Sequence, residues 1–106
     1  MDERQFEALA TQALQSIERA LDKSGIDADF ELKEGGVLEL EFDNGSKIIV
    51  NRHSAAREIW VAARSGGFHF RWDGSAWRDT RDGAELFAAL SRLVSAQSGT
   101  GVILSA

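Results

Sequence analysis

The chain has no cysteine. That removes disulfides, thiolate nucleophiles and Cys-ligated zinc or iron–sulfur clusters, and it fits a reducing compartment. No apolar run approaches the ~18 residues that a membrane span needs, so no membrane role is expected. The N-terminus has neither the basic-then-apolar pattern of a secretory signal nor the Arg-rich, acid-poor pattern of a transit peptide; the expected location is cytoplasmic. Cations are in the minority, with 12 Lys and Arg against 17 Asp and Glu and a pI near 4.9. A nucleic-acid partner is therefore not expected, because binding phosphates takes clustered cations. No local motif joins Ser, His and Asp as in a hydrolase, and no glycine loop cradles a phosphate. Neither of the two histidines stands in the Glu-x-x-His pattern of a di-iron oxidase. There are no internal repeats and no linker, and 106 residues make one domain spanning 1–106.

What the chain does have is a local excess of acid. Residues 1–34 hold nine acidic against four basic residues, an excess equal to the whole formal net charge of −5. The remainder is neutral. Within that segment Glu18, Asp22, Asp27, Asp29, Glu31 and Glu34 crowd into one short stretch, and a local field of one sign asks for a partner.

Hydrophobic spacing places this stretch. Asp2 and Gln5 have capping-box spacing ahead of a stripe of Phe6, Leu9, Ala10, Ala13, Leu14, Ile17 and Leu21, which predicts a helix over about 3–23 with Gly25 as its stop. From Ile26 to Leu32 the period changes to two, with Ala28, Phe30 and Leu32 on one side and Asp27, Asp29 and Glu31 on the other. That reads as a half-buried edge strand protected by charge. Gly35-Gly36 turns into a strand at Val37–Phe42. Asn44-Gly45 then makes a hairpin to Lys47–Arg52. A connection at Ser54–Arg57 leads to strands at Glu58–Ala63 and Phe68–Trp72 with Gly66-Gly67 between them. Asp73-Gly74 turns to a short strand around Trp77. Asp82 and Glu85 repeat the capping spacing before a second stripe of Leu86, Phe87, Leu90, Leu93 and Val94, ended by Gly99 and Gly101. Val102 to Leu104 is an apolar tail able to pack back.

The expected fold is an α+β, two-layer sandwich, with two helices on one face of a mainly antiparallel sheet of about six strands. The other face is then uncovered. Alternation puts Leu38, Leu40, Phe42, Ile48, Val50, Ile59, Val61, Phe68 and Phe70 inward. Glu39, Glu41, Lys47, Asn51, His53, Trp60, His69 and Arg71 point outward. Trp60 is the anomaly there, an indole among polar residues, and it reads either as an interface anchor or as a cross-strand stiffener.

The segments Asn44-Gly45-Ser46-Lys47-Ile48-Ile49-Val50-Asn51-Arg52, Ile59-Trp60-Val61-Ala62 and Gly66-Gly67-Phe68-His69-Phe70, in this architecture, resemble bacterial frataxin of the CyaY family over essentially the whole chain. The resemblance implies a monomeric, non-enzymatic, iron-binding regulator of iron–sulfur cluster assembly. It implies weak iron binding (Fe²⁺/Fe³⁺) by acids of the first helix and first strand, here Glu18, Asp22, Asp27, Asp29 and Glu31. It implies docking on the cysteine desulfurase and the iron–sulfur scaffold protein. The exposed sheet face, with Asn51, His53, Trp60 and His69, is the expected partner surface. Two departures stand out. Glu18-Arg19 and Asp22-Lys23 alternate in sign where relatives often carry adjacent acids, and His53 stands where many carry Gln.

The carboxylates have their own chemistry. Glu18 and Asp22 are helical neighbours at i and i+4. Alternate acids on a strand are roughly 7 Å apart. Like charges about 6 Å apart in water repel by roughly 0.7 kcal/mol, and a bound cation relieves several such repulsions at once. Carboxylate oxygens suit hard cations such as Fe²⁺, Fe³⁺, Mn²⁺, Ca²⁺ and Mg²⁺. An open site of this kind predicts weak, salt-sensitive binding and equally predicts docking of a basic surface. The competing readings are a ferroxidase or iron-storage protein, a metal-independent acidic interaction module, and a solvated face that only gives solubility.

Overall fold

Asp2 closes the first helix as its spacing predicts. Its carboxylate accepts from the Gln5 N–H at 2.8 Å, and the Gln5 side chain accepts from the Asp2 N–H at 3.0 Å, a complete capping box. The computed structural model describes residues 1–106. Helix α1 (Glu3–Ser24) ends where Gly25 takes φ 68°, a left-handed conformation that costs glycine least. Its buried stripe is Phe6, Ala10, Ala13, Leu14, Ile17, Ala20 and Leu21.

Six strands follow: β1 (Ala28–Lys33), β2 (Val37–Phe42), β3 (Lys47–His53), β4 (Glu58–Ala63), β5 (Gly66–Trp72) and β6 (Trp77–Asp79). They pair antiparallel in sequence order, so β1 and β6 are the two edges. Helix α2 (Leu86–Ser98) completes the chain. The expected α+β two-layer sandwich is the observed fold. Every residue placed on the inner face is buried except Phe68, which is half-buried. Both helices contribute to the same apolar cluster, with Phe6, Leu14, Ile17, Leu86 and Leu90 packed over Leu38, Ile48, Ile59 and Phe70.

Three local expectations are corrected. The first strand begins at Ala28, so Ile26 and Asp27 lie in the bend before it. Gly66 and Gly67 are not a turn; they open β5, and the hairpin closes on Arg64-Ser65. The Arg64 N–H is held at 2.9 Å by Gln97 Oε1, and Gly66 takes the unusual backbone angle, φ 144°. The cap of α2 is Glu85, not Asp82. The Glu85 carboxylate accepts from the Phe87 and Ala88 N–H groups, while Asp82 bonds the Ala84 N–H. Residues 84 and 85 are still bound to β6, through Asp79 N–H to the Ala84 carbonyl and a bridge of Arg78 with Glu85, so the helix cannot start earlier.

The tail does pack back. Ser91 and Ser95, one turn apart on α2, bond the backbone N–H and C=O of Leu104 and Val102 respectively. Leu104 is buried while Ile103 between them is exposed. The opposite face of the sheet is left bare by both helices and by the tail.

Candidate functional site

The bare face divides into an acidic edge and an aromatic half. At the edge, β1 alternates half-buried Ala28, Phe30 and Leu32 with exposed Asp29, Glu31 and Lys33. Its register with β2 sets Asp29 opposite Glu41 and Glu31 opposite Glu39. Like charges so placed repel. Glu39 is relieved by Lys33 at 3.1 Å and Lys47 at 3.2 Å, and the bonds from Lys33 and then Lys47 hold its carboxyl below the usual range. Asp29, Glu31 and Glu41 make no ion pair. The edge therefore keeps three uncompensated carboxylates.

Helix α1 packs against β1 on the core face of the sheet, the face opposite to the exposed strand acids. Asp22 is exposed and Glu18 half-buried. Arg19 and Lys23 do not neutralise them: Arg19 turns to the Ser16 hydroxyl at 3.1 Å, and neither cation forms an ion pair. Asp27 leaves the strand face on which its alternation had placed it. It lines a cleft of about 510 Å³ with Gly25, Phe42, Asp43 and Asn44 at the end of the sheet. No three acidic or histidine side chains converge into a metal-holding group. The donor type suits hard cations, but the geometry offers single or paired surface carboxylates, so an ion bound here would keep most of its water.

The aromatic half is more closely built. His53, Trp60 and His69 stack across β3, β4 and β5. The ring centroids are 3.8 Å apart for His53 and Trp60 and 4.5 Å for Trp60 and His69, with the planes within 10° of parallel. Asn51, half-buried, is the register partner of Trp60 on β3, as His69 is on β5. All four residues expected at the partner surface are thus brought together. Trp60 is half-buried between the two imidazoles, the placement that cross-strand stiffening requires.

Glu58 and Arg71 complete the arrangement. Glu58 lies on the outer face yet is buried beneath its neighbours. Its Oε1 accepts from the Trp60 indole N–H at 2.8 Å, with His69 Nδ1 3.5 Å away, and its Oε2 accepts from Arg71 Nε at 2.7 Å. Burial pushes the Glu58 carboxyl up; the bonds from Trp60 and Arg71 outweigh it and leave the group below its ordinary value. His53 is fixed separately, its Nδ1 accepting from the Ala56 N–H at 3.3 Å. Sequence reasoning did not assign Glu58, although its parity with Trp60 on one strand is a usable signal. Glu41 was read as outward but not as part of the edge, which needed the hairpin register.

Comparison with known proteins agrees with this architecture over the whole chain. A family model described as a frataxin-like domain matches residues 1–100. An iron-sulfur cluster assembly protein CyaY from Dechloromonas aromatica is 64% identical over 104 residues, 98% of this chain and 99% of that protein. One of the same name from Cupriavidus taiwanensis is 53% identical over 96% of this chain and 95% of its own length. Among solved structures, frataxin from Psychromonas ingrahamii superposes with a TM-score of 0.91 at 34% identity, covering both chains fully. The trimeric frataxin of Saccharomyces cerevisiae complexed with ferrous gives 0.67 at 25% identity, over 94% of this chain and 88% of that one.

Proposed function

The chain belongs to the frataxin-like family, and from that premise we propose that it is an accessory protein of iron–sulfur cluster assembly. It docks on the cysteine desulfurase and its scaffold protein through the acidic edge and the Trp60 face. It takes iron weakly as cargo on the edge carboxylates, and it regulates rather than catalyses. The relatives carry the assembly role in their names, and the yeast structure is of a frataxin complexed with ferrous. The observation that carries the reading to particular residues is the uneven pairing of acids on the outer face. Glu39 and Glu58 are ion-paired, while Asp29, Glu31 and Glu41 are left free at one edge.

An unpaired carboxylate edge has two uses that compete. A hydrated cation lowers its self-repulsion, and so does a basic protein surface, which it also steers into contact. Iron occupancy therefore tunes docking. The exposed, non-converging acids favour this over oxidase chemistry, which needs buried carboxylates closing on a metal pair.

The test is to titrate Fe²⁺ while measuring desulfurase activity with and without the protein. The expected result is an effect of the protein that changes with iron and is lost in the variant Asp29→Asn, Glu31→Asn. An effect of the same size at every iron concentration would overturn the coupling.

A further inference from the structure

On the β4–β6 half of the outer face, anion and cation are layered in the opposite order to the acidic edge. The Glu58 side chain is 9% exposed and lies beneath, while that of Arg71 is 66% exposed and lies above. Arg71 is fixed at Nε by Glu58 at 2.7 Å and makes no other bond, so its two terminal amino groups face solvent. Its register partner on β6 is Arg78. Arg78 is also fixed at Nε, by Asp73 at 3.3 Å, with one terminal nitrogen 3.5 Å from the Gly83 carbonyl. Asp73 in turn is occupied by the Ser75 and Ala76 N–H groups at 2.9 and 2.8 Å. Two guanidinium groups are thus anchored side by side, with both terminal nitrogens of Arg71 and one of Arg78 free, around a cleft of about 400 Å³ that Glu58, Asp73 and Asp79 also line.

Arg52 and Arg81 are engaged elsewhere, and the side chains of Arg4 and Arg92 have no anchoring bond. Arg52 is taken by Glu7 and Thr11, and Arg81 by the Gly67 carbonyl and the Phe68 ring. Cations directly opposite each other across antiparallel strands repel. A carboxylate placed between Arg71 and Arg78 relieves that repulsion and meets the planar fork that guanidinium offers it.

We infer that the β4–β6 half is a second docking surface, offering free guanidinium donors where the acidic edge offers free carboxylates. It receives an acidic segment of a protein partner on Arg71 and Arg78, with Glu58 positioning both Arg71 and Trp60. The inference rests on the outer face being the docking face proposed above. The two surfaces are four strands apart, roughly 20 Å. That exceeds the Debye length of about 8 Å at physiological salt, so each is engaged independently of the other. A partner must then carry base over β1–β2 and acid over β5–β6, which fixes its orientation.

Two measurements decide it. In the ¹⁵N-labelled protein at low salt, a hexaglutamate peptide is expected to shift the Nε–H signals of Arg71 and Arg78 and the Trp60 indole signal. The signals of Arg4 and Arg92 should stay in place, and Arg78→Gln should weaken the effect about fivefold. Arg71→Lys, which keeps the charge and loses the fork, should fall between. Equal shifts at Arg4 and Arg92, or none at Arg71 and Arg78, overturn the inference. On the desulfurase complex, Arg78→Glu is expected to weaken binding about tenfold and Arg92→Glu not at all; equal losses overturn it. Should Asp29→Lys leave desulfurase affinity unchanged, the docking reading of the acidic edge falls, and the peptide measurement still decides the arginine site.

Discussion

The acidic edge and the Trp60 half share one sheet face and treat charge in opposite ways. On β1 and β2 the acids stand outermost and three of them have no counter-ion. On β4 to β6 the acid is underneath, its donors are all internal, and the cations are on top. The first arrangement has free energy to release on meeting a cation. The second is already satisfied and rigid, and it orients the groups above it. In the docking role proposed above, such a face would combine a field that attracts with a frame that aligns.

The largest contrast is in stability. Arg71→Ala takes the charge partner from a buried carboxylate and is expected to cost about 2 kcal/mol in denaturant unfolding, below the full price of a broken buried pair because Trp60 and His69 remain. Asp29→Asn removes one of two facing acids and is expected to change stability by less than about 0.5 kcal/mol, if anything upward. Equal losses for the two would erase the distinction between frame and field.

Those halves were not equally legible in the sequence. A count of charges and a change of period from helix to strand located the acidic edge, because its acids are adjacent in the chain and act by sum. Parity along the strands placed Asn51, His53, Trp60 and His69 on one face. What parity does not say is which member of an ion pair lies underneath. Glu58 and Arg71 are 13 positions apart, and their order in depth is set by the neighbouring rings. Asp27 illustrates a different loss. Its alternation with Asp29 is real, but the strand begins one residue later, after the bend that follows Gly25. The α2 cap was misplaced because Asp82 and Glu85 have capping spacing while β6 still holds residues 84 and 85.

A smaller effect separates the halves by pH. The Glu58 carboxyl is lower in the folded protein than in the unfolded chain, so its contribution is complete above the unfolded value near 4.5 and is lost as pH falls through the folded value. Glu58→Gln should therefore be less stable than the parent at neutral pH, with the difference shrinking in acid, as followed by thermal melts at pH 7 and pH 3. A difference that grows in acid would reverse the assignment. The Asp73 turn, held by the Ser75 and Ala76 N–H groups with its carboxyl lowered to about 2, should persist through that range.

The smallest effect sharpens the edge itself. Lys33 shares Glu39 with Lys47, so Lys33→Ala should remove one cation from the edge and tighten Fe²⁺ or Mn²⁺ binding about twofold at low salt. The gain should vanish at 0.15 M salt. An unchanged affinity at low salt would place the bound cation elsewhere.

In the proposed docking both halves of the face meet one partner, and residue-resolved NMR of the ¹⁵N-labelled protein with unlabelled desulfurase tests this most directly. That docking predicts selective broadening at Asp29 and Glu31 together with the Trp60 indole signal, and relief of the first two when a diamagnetic hard cation such as Ca²⁺ is added in place of paramagnetic Fe²⁺. Broadening at neither, with the effects confined to the helix face, would contradict it.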